Sequence, residues 1–470
     1  NVLAGSLVAA LEKHASSGRD LILYTKVGLG DGSDGNNPWL HELPDPVSKV
    51  CWDNYLAVSS ITAKELGLKQ GDVVNVSNGA YTIEKLPVLI QPGQVRDTFA
   101  VALGHGREKG VKETVGKNAF PFAVLINGTV SNYATNISVE KVSGSYELAQ
   151  TQTHHSIEGR DIVREASLNE FKKNPRSANE DHHGLLRDEG GELFNLWKEF
   201  DYKGHKWGLA VDMNACTGCS ACVISCSIEN NVPVVGREEV RRRREMHWIR
   251  IDRYYSFDNT QGSYETREKE YDRLESHEHV RVIHQPMMCQ HCGHAPCETV
   301  CPVLATTHST DGLNQMTYNR CIGTKYCANN CPYKVRRFNW FRYNDNDDFN
   351  YYMNNDLGKM VINPDVTVRT RGVMEKCSMC VQRIQAGKLT AKLEGRKLKD
   401  GEIQTACSQS CPADAIVFGD MNDPESKISK IFAKKRAYTV LEELNVQPSV
   451  KYLTKIRNVE EAIAETVAHH

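Results

Sequence analysis

Fifteen of the sixteen cysteines in this 470-residue chain fall between Cys216 and Cys411, in four groups. Cys216, Cys219, Cys222 and Cys226 are spaced C-x2-C-x2-C-x3-C, and Cys289, Cys292, Cys297 and Cys301 repeat the theme with x2, x4 and x3. The third group is Cys321, Cys327 and Cys331, with Thr324 where a second cysteine belongs. The fourth is Cys377, Cys380, Cys407 and Cys411, split by a 26-residue insertion. Pro302, Pro332 and Pro412 follow the last cysteine of three groups.

This is the spacing of bacterial two-cluster ferredoxins, repeated. Three thiolates on one tight loop reach three irons of a cubane. The fourth, three residues on, is expected to start a helix and point at the other cluster of a pair, its following proline suiting the first helical position. Zinc is the weaker reading, because three cysteines so spaced crowd one tetrahedral ion. Disulfides are weaker still, since cysteines at x2 spacing rarely bridge each other.

Exchange of the fourth cysteine makes the groups work in pairs, first with fourth and second with third. Cys216, Cys219 and Cys222 are then expected to share a cluster with Cys411, and Cys377, Cys380 and Cys407 with Cys226. Cys289, Cys292 and Cys297 take Cys331. Cys321 and Cys327 are left with Cys301, one thiolate short. A neutral hydroxyl at Thr324 is a poor iron ligand beside soft thiolates. The expectation is three 4Fe–4S clusters and one 3Fe–4S cluster. Cys51 stands outside the scheme and reads as a half-buried structural thiol.

The rest of the chain is less explicit. With 40% apolar and 25% charged residues it is a globular chain rather than a disordered one, and no apolar run is long enough to span a membrane. A net charge of -2 gives no argument for nucleic acid. The chain opens on Asn1 and residues 6–17 read as the tail of a helix, as in a fragment or a processed chain. Residues 20–27, 73–77, 83–90, 98–103 and 120–140 read as strands, and Thr62–Leu68 as a helix with a T-x-x-E capping box. The motif at Gly30, Gly32 and Gly35 is expected to be a flexible loop, because Pro38 and LPDP at 43–46 forbid the helix a dinucleotide site needs. The expected organisation is α+β: a β-rich domain over 1–146, a polar connector over 147–205, a ferredoxin-like domain over 206–425 and a helical tail over 426–470. His154-His155 and His182-His183 read as surface pairs. The basic runs Arg241–Arg244 and Lys334, Arg336, Arg337 serve either to tune the clusters or to dock a partner, and Phe338, Trp340 and Phe341 beside the second suit a partner or membrane rim. No convincing catalytic triad or carboxylate pair is visible.

The segments DMNACTGCSACVISC, CQHCGHAPCETVCPV, NRCIGTKYCANNCPYKVRRFNWF, EKCSMCVQRI and TACSQSCPADAIVFGD resemble the four-cluster subunits of polysulfide, dimethylsulfoxide and nitrate reductases. NPWLHELPDPVSKVCWDN at 37–54, LGLKQGDVVNV at 66–76 and LGHGR at 103–107 resemble the C-terminal, double-psi-barrel domain of molybdopterin oxidoreductases. Both modules in one chain, with the connector TQTHHSIEGRDIVREASL, are similar to the fused iron–sulfur subunit of bacterial alternative complex III. That resemblance implies an electron-transfer subunit on the periplasmic face of the inner membrane. It implies a polytopic quinol-binding partner, c-type cytochrome partners, an N-terminal remainder of the same polypeptide, and no molybdopterin. Electrons would enter at the three-iron cluster and leave toward haem. The alternative is the iron–sulfur part of a molybdenum-dependent reductase of the polysulfide, tetrathionate or dimethylsulfoxide type.

Overall fold

The computed structural model describes residues 18–126, 128–155, 157, 160, 162–179, 194–195, 200–257, 280–351 and 354–458. The expected helix over 6–17 and the pair His182-His183 lie outside them. The chain forms two compact units, one running to Thr153 and one from His154 through all four cysteine groups.

The first unit is built on a mixed sheet of seven strands. They are β1 (Asp20–Tyr24), β2 (Leu56–Val58), β3 (Asp72–Ser77), β4 (Thr82–Ile90), β5 (Thr98–Ala102), β6 (Tyr133–Ala134) and β7 (Ser138–Ser145), in the order β6-β1-β5-β2-β4-β3-β7. β1 runs parallel to β5, β2 parallel to β4, and the other neighbours are antiparallel. Strand alternation builds the core: Leu21 and Leu23 pair with Phe99 and Val101, and all four are buried alongside Val74, Val76, Leu86 and Val88.

Four local expectations are corrected here. Pro38 does not forbid a helix. It opens α1 (Pro38–Glu42), where a missing N–H costs nothing, while the Asn37 side chain accepts from the Trp39 N–H at 3.0 Å. The glycine loop before it is packed: at Gly32 (φ 89°) a Cβ would sit 2.7 Å from Gly104 Cα, and at Gly104 (φ 84°) one would sit 2.9 Å from Gly30 O. The next helix, α2 (Ser60–Glu65), is capped by Ser59, whose Oγ accepts from the Thr62 N–H at 3.1 Å, and not by Thr62. Cys51 is fully buried rather than half-buried.

The second unit is organised by two antiparallel strand pairs. β8 (Trp207–Asp212) precedes the first cysteine group and pairs with β11 (Ile416–Asp420), which follows the fourth. Between them in sequence, β9 (Thr306–His308) follows the second group and pairs with β10 (Asn314–Met316), which precedes the third. Among the described residues, the expected helical tail holds one α-helix, Lys427–Phe432, and a 3-10 turn at Glu442–Leu444; β12 (Ala437–Tyr438) and β13 (Val450–Leu453) join the sheet in the order β11-β8-β13-β12. The alternation V-K-Y-L after Pro448 suits a strand, and it sinks Val450 and Tyr452 completely. The described part of the connector also gains order. Glu165–Ser167 runs parallel to Lys455–Arg457, and Ser167 and Glu170 form a capping box on Leu168–Lys173. His154 is exposed, while His155 is half-buried against Tyr255, its pKa lowered to about 4 by burial and then by Arg253.

The glycine contact gives a test of the first unit. Gly104→Ala must relieve both the backbone clash and a positive φ, and is expected to cost about 2 kcal/mol of stability. Denaturant unfolding of the full chain checks this; an unchanged midpoint contradicts it.

Candidate metal centres

The first and third cysteine loops share one backbone design. Gly218 and Ser220 flank Cys219 with φ 74° and 63°, and Gly323 and Lys325 flank Thr324 with φ 73° and 61°. Ser220 and Lys325 are the left-handed residues that open the helices Ala221–Glu229 and Tyr326–Asn330, which carry Cys222 and Cys327. Thr324 therefore occupies the backbone place of Cys219. At Gly323 the loop admits nothing larger, since a Cβ there would lie 2.3 Å from Gly372 O.

The last cysteine of a group does not start a helix, contrary to the expectation from sequence. Cys226 lies inside Ala221–Glu229, while Cys301, Cys331 and Cys411 come just after the short helices Pro296–Thr299, Tyr326–Asn330 and Ala406–Gln409. The proline that follows disfavours helical backbone at the residue before it, and Cys331 is extended at φ -69°, ψ 116°. Three residues past each of these cysteines the chain turns through a left-handed residue: Leu304, Lys334 and Asp414. In two of the three turns the next N–H comes back to the sulfur, Ala305 to Cys301 at 3.1 Å and Ala415 to Cys411 at 3.3 Å.

The strand pairs bring the groups together as the exchange rule requires. β8 and β11 set the first group beside the fourth, where Ser225 and Ser410 share a hydrogen bond of 2.7 Å. β9 and β10 set the second beside the third, where Asn330 donates to Pro296 O at 3.2 Å. Cys226, Cys377, Cys380 and Cys407 line one cavity of about 340 Å³ with Leu209, Ile249, Met288 and Met379. Donors already aim at these sulfurs. Asn230 Nδ2 lies 3.5 Å from Cys226 Sγ, the Ala406 N–H 3.4 Å from Cys380 Sγ, and the Met379 N–H 3.4 Å from Cys377 Sγ.

Cys301, Cys321 and Cys327 line a second hollow, of about 280 Å³, together with Thr324, Thr306, Met316 and Met374. The other two sets are traced by mutual charge. Burial raises Cys216 against a backbone hydrogen bond from Gly218, and Cys411 and Cys219 add to the rise. Burial likewise raises Cys222, followed by Cys407, Cys216, Cys219 and Cys411, so this set adjoins the one containing Cys407. Burial raises Cys292, with Cys289, Cys331 and Cys297 adding to it.

Buried thiols of this kind resist ionisation. Burial, with Cys407 next, pushes Cys380 up to about 12, and burial is the main reason Cys297 stands at about 11. A bound metal cation makes thiolates of such groups at neutral pH. The donor sets, the cavities and the N–H groups aimed at sulfur all fit iron–sulfur clusters. All sixteen cysteines are free of disulfides.

The basic runs divide. Arg241 and Arg242 pair with Glu238 and Glu239 of their own helix, and Arg244 pairs with Glu239 while stacking 4.3 Å from the Trp340 ring centre. Arg337 binds Glu245 at 2.9 Å. Lys334 is exposed, and Arg336 is buried beside the cysteines. Sequence reasoning missed Asn230, and also Glu375, two residues before Cys377. Glu375 is fully buried and accepts from Arg369 (2.9 Å), Trp248 (2.9 Å) and Asn339 (2.6 Å). Nothing in spacing or composition distinguishes such residues from ordinary surface polar ones.

In the first unit the two motif segments converge. His41 stacks on Trp52 at 5.4 Å, its edge meets His105, and Lys26 donates to Asp53 O at 2.8 Å. They line a pocket of about 280 Å³ with Leu29, Leu40, Leu43 and Pro44.

Comparison with known proteins bears on the second unit. Two 4Fe-4S dicluster domain models match, over residues 215–305 and 280–345. The iron–sulfur cluster-binding subunit of menaquinone reductase from Nitratidesulfovibrio vulgaris is 36% identical over 263 residues, 55% of this chain and 91% of that protein. An Hdr-like menaquinol oxidoreductase iron–sulfur subunit from Archaeoglobus fulgidus is 32% identical, covering 53% of this chain and 82% of its own length. A tetrathionate reductase subunit from Salmonella typhimurium is 28% identical, over 53% and 72%.

The ion pair that anchors the strand before Cys377 can be tested by itself. Arg369 and Glu375 are both buried, so Arg369→Met leaves a buried carboxylate without its cation. A loss of about 3–5 kcal/mol is expected in chemical unfolding of the iron-loaded chain. A loss under about 1 kcal/mol contradicts the anchoring role.

Proposed function

The chain belongs, through its cysteine-rich half, to the 4Fe-4S dicluster iron–sulfur subunits of menaquinone-linked oxidoreductases, and we propose that it is the electron-transfer subunit of a membrane-associated quinol oxidoreductase. The observation that carries this reading is the exchange of cysteines between groups. Cys226 meets Cys377, Cys380 and Cys407 in one cavity, and Cys301 meets Cys321 and Cys327 in another. We assign 4Fe–4S clusters to Cys216, Cys219, Cys222 and Cys411; to Cys226, Cys377, Cys380 and Cys407; and to Cys289, Cys292, Cys297 and Cys331. A 3Fe–4S cluster goes to Cys301, Cys321 and Cys327, supported by Thr324 on a backbone turn that matches that of Cys219. Bound there, such clusters supply one-electron relay chemistry. The chain's own work is to hold the thiolates, keep water from them and direct N–H groups at their sulfurs.

No described helix is long and apolar enough to cross a membrane, so membrane contact in this reading comes through a partner. Ile322 lines the three-cysteine hollow and is exposed, as are Tyr326, next to Cys327, and Leu304, three residues after Cys301. That apolar rim supports docking of a polytopic quinol-binding subunit at this end; the periplasmic face and c-type cytochrome acceptors rest on the resemblance to alternative complex III alone. The first unit, with parallel pairings inside a mixed sheet and its motif segments convergent, supports a double-psi-barrel relative of molybdopterin enzymes and the fusion typical of alternative complex III. Its pocket is lined mainly by apolar groups and a stacked His41–Trp52 pair, which favours the reading without a molybdenum cofactor. The likeness to the tetrathionate reductase subunit favours the molybdenum-reductase alternative, which stoichiometric molybdenum in the purified complex would establish.

Thr324→Cys tests the assignment. The oxidised protein is expected to lose its three-iron EPR signal and to gain one iron per chain, with a new four-iron signal on reduction. An oxidised wild-type protein with full iron and no three-iron signal overturns it.

A further inference from the structure

Arg336 is only 6% exposed, yet it has no carboxylate partner among the described residues. Its Nη2 donates to Thr306 Oγ1 at 2.8 Å and lies 3.1 Å from Met316 Sδ. Both Thr306 and Met316 line the hollow of Cys301, Cys321 and Cys327. Its Nε and Nη1 are buried and have no hydrogen-bond partner among the described residues. Two other buried arginines of this unit have carboxylate partners: Arg369 has Glu375 and Arg164 has Glu442.

A buried guanidinium with two idle N–H groups needs a counter-charge, because desolvation is not repaid by neutral neighbours. The ionisable groups around Arg336 include cysteines of two different sets, with Tyr318 and His291 also near it. Cys297, Cys289 and Cys331 come from one, and Cys327 from the other. Anionic clusters on these cysteines supply that charge.

We infer that Arg336 is the shared counter-charge of the 301/321/327 and 289/292/297/331 clusters, its free N–H groups donating to their sulfurs and holding both midpoint potentials up. The inference rests on the cluster assignment proposed above. A cation favours the more negative, reduced state of a cluster, and hydrogen bonds to sulfur act in the same sense. One charge between two adjacent clusters raises the potentials of both. Lys376 is a second buried cation facing Cys297 and donates to Cys377 O at 3.0 Å. The three-cysteine set has no such buried second cation in its lining: Lys325 there is half-buried and sits 4.1 Å over the Trp340 ring. Loss of Arg336 therefore falls hardest on that set. The two sets built on Cys216–Cys226 and Cys377–Cys411 serve as internal controls.

The test is an EPR-monitored redox titration of the iron-loaded full chain, with iron quantified, for wild type, Arg336→Gln and Arg336→Lys. In the glutamine variant the three-iron cluster is expected to become at least tenfold harder to reduce, about 59 mV for one electron. The 289/292/297/331 cluster should shift less, the other two should not move, and lysine should restore most of the loss. Unchanged potentials with full iron overturn the inference, as does an equal shift of all four clusters. If the glutamine variant loses iron, a lysine variant with full iron and near wild-type potentials supports the inference. Iron loss from both variants makes Arg336 structural and overturns it. Wild-type protein with no cluster at Cys301, Cys321 and Cys327 would instead sink the assignment on which it rests.

Discussion

Fifteen thiols gathered in one unit, all buried or half-buried and many of them reluctant to ionise where they lie, set the terms for everything else in this structure. An apolar surround such as Leu209, Ile249, Met288 and Met379 cannot stabilise four thiolates alone. A multiply charged inorganic core can, and it then becomes part of the folding free energy of the unit. The polar groups near the sulfurs fit that arrangement. Asn230, the Ala305 and Ala415 N–H groups and Arg336 are donors, and donors are what an anionic cluster needs.

The backbone serves the same end. Antiparallel pairing of β8 with β11 joins the beginning and end of the cysteine region, and β9 with β10 joins its middle. A nested chain of this kind lets each fourth cysteine reach into the neighbouring loop. It also explains why β13, from beyond the cysteines, lies parallel against β8: the strand that leads into the first cluster loop is central in its sheet, flanked on both edges. A central strand is a firmer support for a loop that must hold its geometry through changes of cluster charge.

Much of the metal-binding region is legible in the sequence because iron–sulfur ligation is local: three ligands per loop, set by spacing. The gap at Thr324 is legible for the same reason. What spacing does not encode is the direction of the chain after a loop. Proline after Cys301, Cys331 and Cys411 reads as the start of a helix, when its stronger effect is to end one at the residue before it. The tail after Phe432 reads as helical from its mixed charge, although V-K-Y-L carries a strand period. Pro38 reads as a helix breaker, while Asn37 and its position make it an opener. Arg336 and Arg337 are adjacent in sequence and alike in type. Only packing separates a buried cation without a carboxylate from one paired with Glu245.

The central claim is that this chain carries four clusters, of two kinds, in fixed proportion. Mössbauer spectroscopy of the isolated, iron-57-labelled chain, with iron and sulfide quantified, measures that directly. The account predicts iron in three four-iron clusters and one three-iron cluster per chain. Zinc in place of iron, or four equivalent four-iron clusters, would contradict it.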